Sequence, residues 1–340
     1  MVFKHSDLEI NEDELQEAKI RPKFLKDFTG QKQLKNNLQI ALNAAKARSE
    51  ALDHVIFHGP PGLGKTTLSQ IIASELGVNI KCTIGTMLTK AGELAAILTN
   101  LQMGDVLFID EIHRMPAAVE ELLYSAMEDY KLDLVIGDGP SARTVRIDLP
   151  KFTLIGATTR LGLLSNPLKD RFGLPLKLDF YNVDELQEIV LRGSRVLNTS
   201  IEVSAASKIA QCSRGTPRIS LRLLRRVRDY LHISDVISID LSMVNKAFVD
   251  LGIDEAGLDL IDHKYLLYIA NNYSGGPVGV GNIAAGIAED RDTIEDVIEP
   301  YLMQIGFIKR TLQGRQLTLK AFNHLKIKPA INFYSEQPLI

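Results

Sequence analysis

The sequence predicts an α/β protein with a parallel sheet, followed by a small helical domain and a C-terminal winged helix. Short apolar runs at 54–59, 105–114 and 152–160 alternate with segments of helical periodicity, which is the pattern of a parallel sheet. After residue 182 these runs give way to amphipathic helices. The end of the chain combines helical segments with two short strands around Gly314, which is typical of a winged helix.

The composition is that of an ordinary globular protein. Hydrophobic residues make up 45% and charged residues 24%, which argues against disorder, and the length of 340 residues suggests two or three domains. The net charge is −3, so a basic patch would be a local feature. Cys82 and Cys212 lack metal-ligand spacing, which fits a protein of a reducing compartment. We expect both thiols to be buried in the fold. The polar N-terminus and the absence of a long apolar run predict a cytoplasmic protein without membrane contact.

The predicted first domain carries one insertion. A polar arm (1–30) and a helix (33–47) precede the first strand, and the helix after that strand is expected to stop at Gly77. In KLDLVIGDGPSARTVRIDLP (131–150), apolar and polar residues alternate on both sides of GDGPSA. This alternation predicts a β-hairpin inserted before the third strand.

The remaining chain is expected to form two smaller domains. A linker (252–262) precedes helices at 264–272, 282–289 and 290–304 and the two strands of the wing. The predicted domain bounds are 1–181, 182–254 and 255–340.

GPPGLGKTT (59–67) predicts a phosphate-binding loop, because it matches G-x-x-x-x-G-K-[ST] between a strand and a helix. Glycines let backbone N–H groups approach phosphate oxygens at a helix N-terminus. Lys65 would neutralise the β- and γ-phosphates, and the Thr66 hydroxyl would hold Mg²⁺. A plain glycine-rich turn would not need the flanking strand and helix. The nucleotide-binding residues expected in this loop are Gly62, Leu63, Gly64, Lys65, Thr66 and Thr67.

FIDEIHR (108–114) would supply the groups that hydrolysis needs at the end of a neighbouring strand. Asp110 would bind the metal, and Glu111 would orient and deprotonate the attacking water. At the end of the third strand, Thr158 or Thr159 could touch the γ-phosphate or that water, although a turn with satisfied hydroxyls is the alternative.

Two arginines are further candidates. Arg171 follows a short helix and cannot easily fold back onto its own phosphate loop, so it could serve a neighbour's ATP as an arginine finger; an ion pair with Asp170 is the alternative. Arg218 begins a helix after Pro217 and could reach the nucleotide, or it could be solvated.

The wing FIKRTLQGRQLT (307–318) is basic, whereas the preceding helix is acidic. That helix would be repelled by phosphates, which makes it a poor reader of the DNA major groove. Lys309, Arg310 and Arg315 could hold a phosphate backbone without reading bases, although such a charge run is often only a solvated face. The acidic residues of the C-terminal helices are Glu289, in the helix at 282–289, and Asp290, Asp292, Glu295, Asp296 and Glu299, in the helix at 290–304.

Together these motifs resemble the RuvB family, the Holliday-junction branch-migration motors of the AAA+ class. The resemblance covers nearly the whole chain, and it is most specific in GPPGLGKTTL, LFIDEIHR, the hairpin with GPSAR, LKDRFG, GTPRI and EDRDTIEDVIEPYL. It implies an AAA+ domain with an inserted hairpin, a helical lid and a winged helix. It also implies a hexameric ring that uses ATP and Mg²⁺ to pump duplex DNA at Holliday junctions during recombination and repair, with RuvA holding the junction and RuvC resolving it.

The resemblance also assigns residue roles. Arg171 matches the trans-acting finger and Arg218 the second sensor, while Val145 and Ile147 match the element that docks RuvA. The residues matched to the adenine and ribose pocket are Ile20, Arg21, Glu128, Asp129, Tyr130 and Tyr181. Those matched to DNA contacts are Arg310 and Arg315, with Arg291 in addition.

Two stretches depart from the family pattern. Leu312 and Gln313 replace a proline and an arginine at the wing tip, which predicts weaker DNA affinity and a more exposed Arg315 as the sole cation of the tip. GVGNIAAGIA also replaces GVDTLAAAI, without altering a proposed contact.

Two other functions fit parts of the sequence. A clamp-loader or initiator ATPase would use ATP as an assembly switch, but the hairpin and winged helix favour a motor. A non-catalytic scaffold would not need Glu111.

Overall fold

The computed structural model describes residues 20–136, 143–234 and 236–329, which divide into two compact units between Asp179 and Phe180. The predicted arm up to residue 19 and the hairpin turn at 137–142 lie outside the described residues. The predicted boundary between the second and third domains stays a prediction.

The first unit is built around a parallel sheet with the strand order β2-β3-β6-β1-β7. Its described strands are β1 (Val55–His58), β2 (Ile80–Ile84), β3 (Val106–Asp110), β4 (Lys131–Ile136), β5 (Arg143–Asp148), β6 (Thr153–Thr158) and β7 (Leu174–Lys177). Its helices are α1 (Lys32–Arg48), α2 (Lys65–Leu76), α3 (Ala91–Leu98), α4 (Ala117–Glu128) and α5 (Asn166–Asp170).

The parallel sheet and its three central strands are confirmed. β1, β3 and β6 are almost wholly buried, which explains their continuous apolar runs. The two edge strands, β2 and β7, were not predicted. β2 is mostly half-buried or exposed and carries polar residues, and β7 contains Pro175, which an edge strand tolerates because one side needs no ladder hydrogen bonds. Cys82 lies exposed on β2, so the prediction that it is buried was wrong, whereas Cys212 is buried as predicted.

The inserted hairpin is confirmed as the antiparallel pair β4 and β5. Its register sets Leu132 opposite Ile147 and Leu134 opposite Val145. Leu132 is fully buried, and Leu134 and Ile147 are partly buried against the core of the first unit. Val145 is 40% exposed, so the apolar face is covered at one end and accessible further along.

The second unit begins with a helical part, as predicted. Asn182 caps α6 by accepting the Glu185 N–H at 2.8 Å, while the Glu185 carboxylate accepts the Asn182 N–H. The elements are α6 (Val183–Val196), β8 (Ser200–Ile201), α7 (Val203–Gln211), α8 (Pro217–His232), β9 (Ser238–Ile239) and α9 (Leu241–Asp250). Apolar faces of these helices share one buried cluster.

The winged-helix part follows within the same unit. Its elements are α10 (Leu260–Tyr273), α11 (Val280–Ile287), α12 (Arg291–Thr293), a π-helical turn (Ile294–Ile298), α13 (Glu299–Gln304), β10 (Ile308–Thr311), β11 (Gly314–Leu317) and α14 (Leu319–Leu325). The predicted helix at 290–304 thus contains a π turn. Pro300 explains it, because proline has no N–H for the carbonyl of Asp296 and its ring crowds that carbonyl. None of the described helices is long and apolar enough to cross a bilayer.

Candidate nucleotide site and basic wing

The strand order brings the predicted catalytic residues to one edge of the sheet. β6 pairs with β3 on one side and with β1 on the other. Asp110 ends β3, Thr158 ends β6, and the phosphate loop follows β1. Carboxyl ends of parallel strands form the ligand-binding edge of open α/β sheets, so this placement fits a nucleotide site.

The phosphate loop is shaped by close backbone contacts. Gly59 has φ +142°, and a Cβ there would clash with the carbonyl oxygen of Leu178, so only glycine fits. Lys65 is the first residue of α2 and is 7% exposed. Its Nζ donates to the carbonyl oxygens of Gly59 and Pro60 at 2.8 and 2.9 Å. The ammonium therefore lies against the backbone of its own loop, where phosphate oxygens would replace these carbonyls.

The two acidic residues after β3 have different backbone settings. Asp110 accepts the N–H of Glu111 through Oδ1 at 2.9 Å. Glu111 has φ +46° and ψ 44°, in the left-handed region that costs a non-glycine residue about 1 kcal/mol. Such a strained backbone persists only where the surrounding packing maintains it, and it occurs most often at functional sites.

His113 connects Glu111 with the end of β6, although no role was predicted for it. Its ring is 4% exposed, and Nδ1 lies 3.3 Å from Glu111 Oε2 and 2.9 Å from Thr158 Oγ1. The tautomer with a proton on Nδ1 can donate to either oxygen. The only signal available was its position two residues after Glu111 in the motif.

The two threonines at the end of β6 are not equivalent. Thr158 is fully buried, and its Oγ1 accepts the Arg160 N–H at 3.0 Å besides contacting His113. Thr159 Oγ1 is buried and has no hydrogen-bond partner within the described ranges. An orphaned hydroxyl at this edge fits a site that takes a polar ligand. With Thr66 and Asp110 as oxygen donors, the residues present also fit a nucleotide-bound Mg²⁺.

Arg171 follows α5 and is held in place by α4. Its Nη2 donates to Glu128 Oε2 at 2.7 Å, and its guanidinium lies over the Tyr124 ring at 4.9 Å from the centroid. Nη1 donates to the Pro167 carbonyl at 2.8 Å, and the buried Nε has no hydrogen-bond partner in the described part of the chain. The contact partner is thus Glu128 and not Asp170, the alternative raised by the sequence.

The other residues matched to the nucleotide pocket lie in both units. In the first unit, Ile20 is buried, Arg21 is half-buried, and the Tyr130 ring packs edge-on against Phe152 at 6.0 Å. In the second unit, Tyr181 is buried, and its N–H donates to the carbonyl of Gly215 at 2.9 Å. Exposed residues complete the set: Asp129 at the end of α4 and Arg218 in the first turn of α8.

The predicted wing is confirmed as the antiparallel pair β10 and β11. Gly314 has φ +136°, and a Cβ there would clash with the backbone of Val278. Val278 exchanges two backbone hydrogen bonds with Arg315, at 2.9 and 2.7 Å, so the wing is fixed to the segment before α11.

The arginines of the wing are paired with the acidic helix. Glu299 is fully buried and accepts hydrogen bonds from Arg310 at 2.6 Å, from Arg315 at 3.0 Å and from the Tyr265 hydroxyl at 3.0 Å. Arg315 also contacts Glu295 at 2.7 Å. Burial alone would raise the pKa of the Glu295 carboxyl, but Arg315 and the other nearby arginines hold that pKa below its ordinary value.

The prediction of a more exposed Arg315 was wrong. The Arg315 side chain is 14% exposed, compared with 45% for Arg310 and 67% for Arg291. The physical reason is the buried carboxylate of Glu299, which needs cationic partners. The residues exposed at the tip include Leu312 and Gln313.

Known proteins resemble this chain over nearly its whole length. Family models match in three consecutive blocks: the Holliday junction DNA helicase RuvB P-loop domain (20–178), the RuvB AAA lid domain (181–254) and the RuvB C-terminal winged helix domain (255–326). Two relatives, from Orientia tsutsugamushi strains Ikeda and Boryong, are named Holliday junction branch migration complex subunit RuvB. They are 60% and 59% identical over 312 residues, which cover 92% of this chain and 96% of theirs.

Solved structures agree with this assignment. One, described as the Thermotoga maritima RuvB Holliday junction branch migration motor, is 52% identical and superposes with a TM-score of 0.85 over 92% of this chain and 100% of that one. Because the catalytic motifs, the winged helix and the sequence identity all agree, the chain belongs to the RuvB family of Holliday junction branch-migration ATPases.

Proposed function

We propose that this chain is the ATP-driven motor of a complex that moves Holliday junctions, working on junction DNA in recombination and repair. The observation that carries the proposal is the strained Glu111 beside Asp110, at the sheet edge that also holds the phosphate loop. A winged helix in the same chain provides the DNA-binding element.

The proposed chemistry is hydrolysis of the β–γ phosphate bond. Lys65 and the backbone of residues 62–67 bind the phosphates, and Thr66 and Asp110 would hold Mg²⁺, which neutralises developing phosphate charge when bound. Glu111 orients and deprotonates the attacking water. His113 positions Glu111 relative to Thr158. The orphaned Thr159 hydroxyl supports a direct contact from that residue to the γ-phosphate or the water.

A hexameric ring is part of the proposal, because Arg171 would act on the ATP of a neighbouring subunit. The support is that its own unit holds the guanidinium, through Glu128 and Tyr124 of α4 and the Pro167 carbonyl of α5. An arginine fixed in this way is oriented before a neighbour arrives, which lowers the entropy lost when it engages the transition state. Family position adds Ile20, Arg21, Asp129, Tyr130, Tyr181 and Arg218 to the nucleotide pocket of the ring.

We further propose that the wing binds the DNA backbone without reading bases. Arg291, Arg310 and Arg315 form the proposed contact cluster, and their exposed fractions give the order in which a phosphate can reach them. Lys309 is also exposed on β10. Charge contacts of this kind favour any duplex sequence, as a processive motor requires.

The hairpin is proposed to dock RuvA through Val145 and Ile147, and RuvC is proposed to act on the same junction. The support is an apolar hairpin face that remains partly accessible at Val145. The cytoplasmic location stays a prediction.

Migration of a synthetic four-way junction tests the proposal. The chain with RuvA, ATP and Mg²⁺ should convert the junction to duplex products at a sustained rate, and the Lys65→Ala protein should not. A single burst of hydrolysis upon DNA loading, without product formation, would instead identify a loader-type switch.

A further inference from the structure

Three side chains of the second unit, none of which is assigned above to the nucleotide or to DNA, bring nitrogen and oxygen ligand atoms together. Asp254 lies before α10, His263 lies in α10, and His324 lies in α14. Nε2 of His263 is 2.8 Å and Nε2 of His324 is 2.7 Å from the same oxygen, Asp254 Oδ2. All three donor atoms lie within 4.8 Å of one another. Segments distant in sequence thus converge on one point.

The carboxylate of Asp254 is oriented by the backbone. Its other oxygen, Oδ1, accepts the N–H groups of Ala256 and Leu258, both at 2.8 Å. Oδ2 is thereby directed at the two imidazoles. Hydrogen bonds that fix a ligating carboxylate from behind are a regular feature of metal sites.

The imidazoles are also fixed, but they remain accessible. Their rings stack with centroids 6.0 Å apart and an interplanar angle of 23°, and the His324 ring lies 4.9 Å from the Phe307 ring. The exposed fractions of Asp254, His263 and His324 are 21, 31 and 22%. An ion can therefore enter from solvent, and water can complete its coordination.

We propose that Asp254, His263 and His324 bind one Zn²⁺ ion through Oδ2 and the two Nε2 atoms, with water as the fourth ligand. Two imidazoles and one carboxylate suit Zn²⁺, whereas Mg²⁺ and Ca²⁺ prefer oxygen ligands. Bonds of about 2.0–2.2 Å to a tetrahedral ion place ligand atoms about 3.3 Å apart, so Oδ2 and each Nε2 separate by about 0.5 Å on binding. Each imidazole would bind the ion through an unprotonated Nε2, with its ring proton on Nδ1.

The ion would tie the linker before α10 to the first and last helices of the winged-helix part. Binding to the folded state alone stabilises it by mass action. We therefore expect saturating Zn²⁺ to raise the unfolding temperature of this part by roughly 5 °C or more.

Zinc titration of the tag-free 340-residue chain tests the site. After chelation and dialysis, without nucleotide and with excess Mg²⁺, calorimetry should give one Zn²⁺ per chain. Co²⁺ should give the intense visible absorption of a four-coordinate ion. Absence of saturable binding by the wild-type chain would overturn the proposal.

Matched variants locate the ion. Asp254→Asn retains an oxygen for the Ala256 and Leu258 N–H groups but loses the ligating Oδ2, so it should fold and bind Zn²⁺ at least tenfold more weakly. His263→Gln should do the same, and the exposed His232→Gln should bind like wild type. Wild-type affinity in Asp254→Asn would overturn the assignment even if His263→Gln failed to fold.

Discussion

The sheet edge that holds the phosphate loop and the basic wing both carry charged residues, but the two regions differ in how their polar groups find hydrogen-bond partners. At the sheet edge, Glu111 has a strained backbone and the buried Thr159 hydroxyl finds no hydrogen-bond partner within the described residues. At the wing, Glu299 is saturated by Arg310, Arg315 and Tyr265. The first region keeps polar capacity for a ligand, whereas the second uses much of its charge to stabilise its own fold.

This contrast changes what each kind of mutation should measure. Replacing a residue at the sheet edge removes an interaction with substrate and should leave stability largely intact. Replacing a saturated arginine leaves a buried carboxylate short of partners, which is expensive in a low-dielectric interior. If a wing variant loses DNA binding, its folding must therefore be measured as well before the loss can be interpreted.

The largest effect is expected at the sheet edge. Glu111→Gln should retain ATP binding and lower turnover by at least about 100-fold, because the amide cannot accept a proton from water. Lys65→Ala should lose nucleotide binding itself. Both proteins should unfold like wild type, as measured by circular dichroism, while ATP binding and phosphate release are followed separately. Full ATPase activity in Glu111→Gln would reject its role.

Arg171 should give the next largest effect. Arg171→Ala should keep ATP affinity and lose about 10³-fold or more in rate, because a trans finger acts on the transition state of a neighbour. Mixing these subunits with Lys65→Ala subunits should restore some hydrolysis, since mixed interfaces contain one intact site. A pull-down verifies that the two proteins co-assemble; co-assembly without any recovery would contradict action in trans.

The wing prediction separates stability from DNA binding. Arg315→Ala should cost about 3 kcal/mol and accelerate hydrogen exchange roughly 100-fold in α10 and α13, because Glu299 stays buried with fewer partners. The exposed Lys309→Ala should leave exchange unchanged. If Lys309 binds one phosphate, its removal should weaken DNA binding. It should also reduce the slope of log DNA affinity against log salt concentration by about 0.9.

The opposite pattern would break the comparison between the two regions. Two results together would show this pattern: unchanged hydrogen exchange in Arg315→Ala, and a slope of log DNA affinity against log salt concentration that is smaller by about 0.9. They would mean that Arg315 contacts DNA without stabilising the wing.

The sequence predicts those functional residues whose position follows from nearby residues along the chain. The phosphate loop follows β1 and FIDEIHR contains the end of β3, and a parallel sheet places such strand ends at one edge. Contacts between residues far apart in the sequence were not predicted, because packing of the whole fold determines them. The contact between His113 and Thr158 spans 45 residues, and no periodicity signals it. The pairing of Arg315 with Glu299 likewise depends on which side of the acidic helix faces the wing, which the mixed charge pattern of the segment does not reveal.

The smallest effects are expected on the hairpin, where two neighbouring apolar residues of one face differ in burial. Val145 is 40% exposed, whereas Ile147 lies partly buried opposite the buried Leu132 and against the core. Val145→Ser should change stability by less than about 0.5 kcal/mol and still weaken RuvA binding, because it removes accessible apolar surface. Ile147→Ser should cost about 1–2 kcal/mol, since it places a hydroxyl among apolar side chains. Chemical denaturation and RuvA titration of both variants, with basal ATPase as a control, separate the two effects. Equal stability losses at both positions would mean that this face is core throughout, and the docking surface would then lie elsewhere.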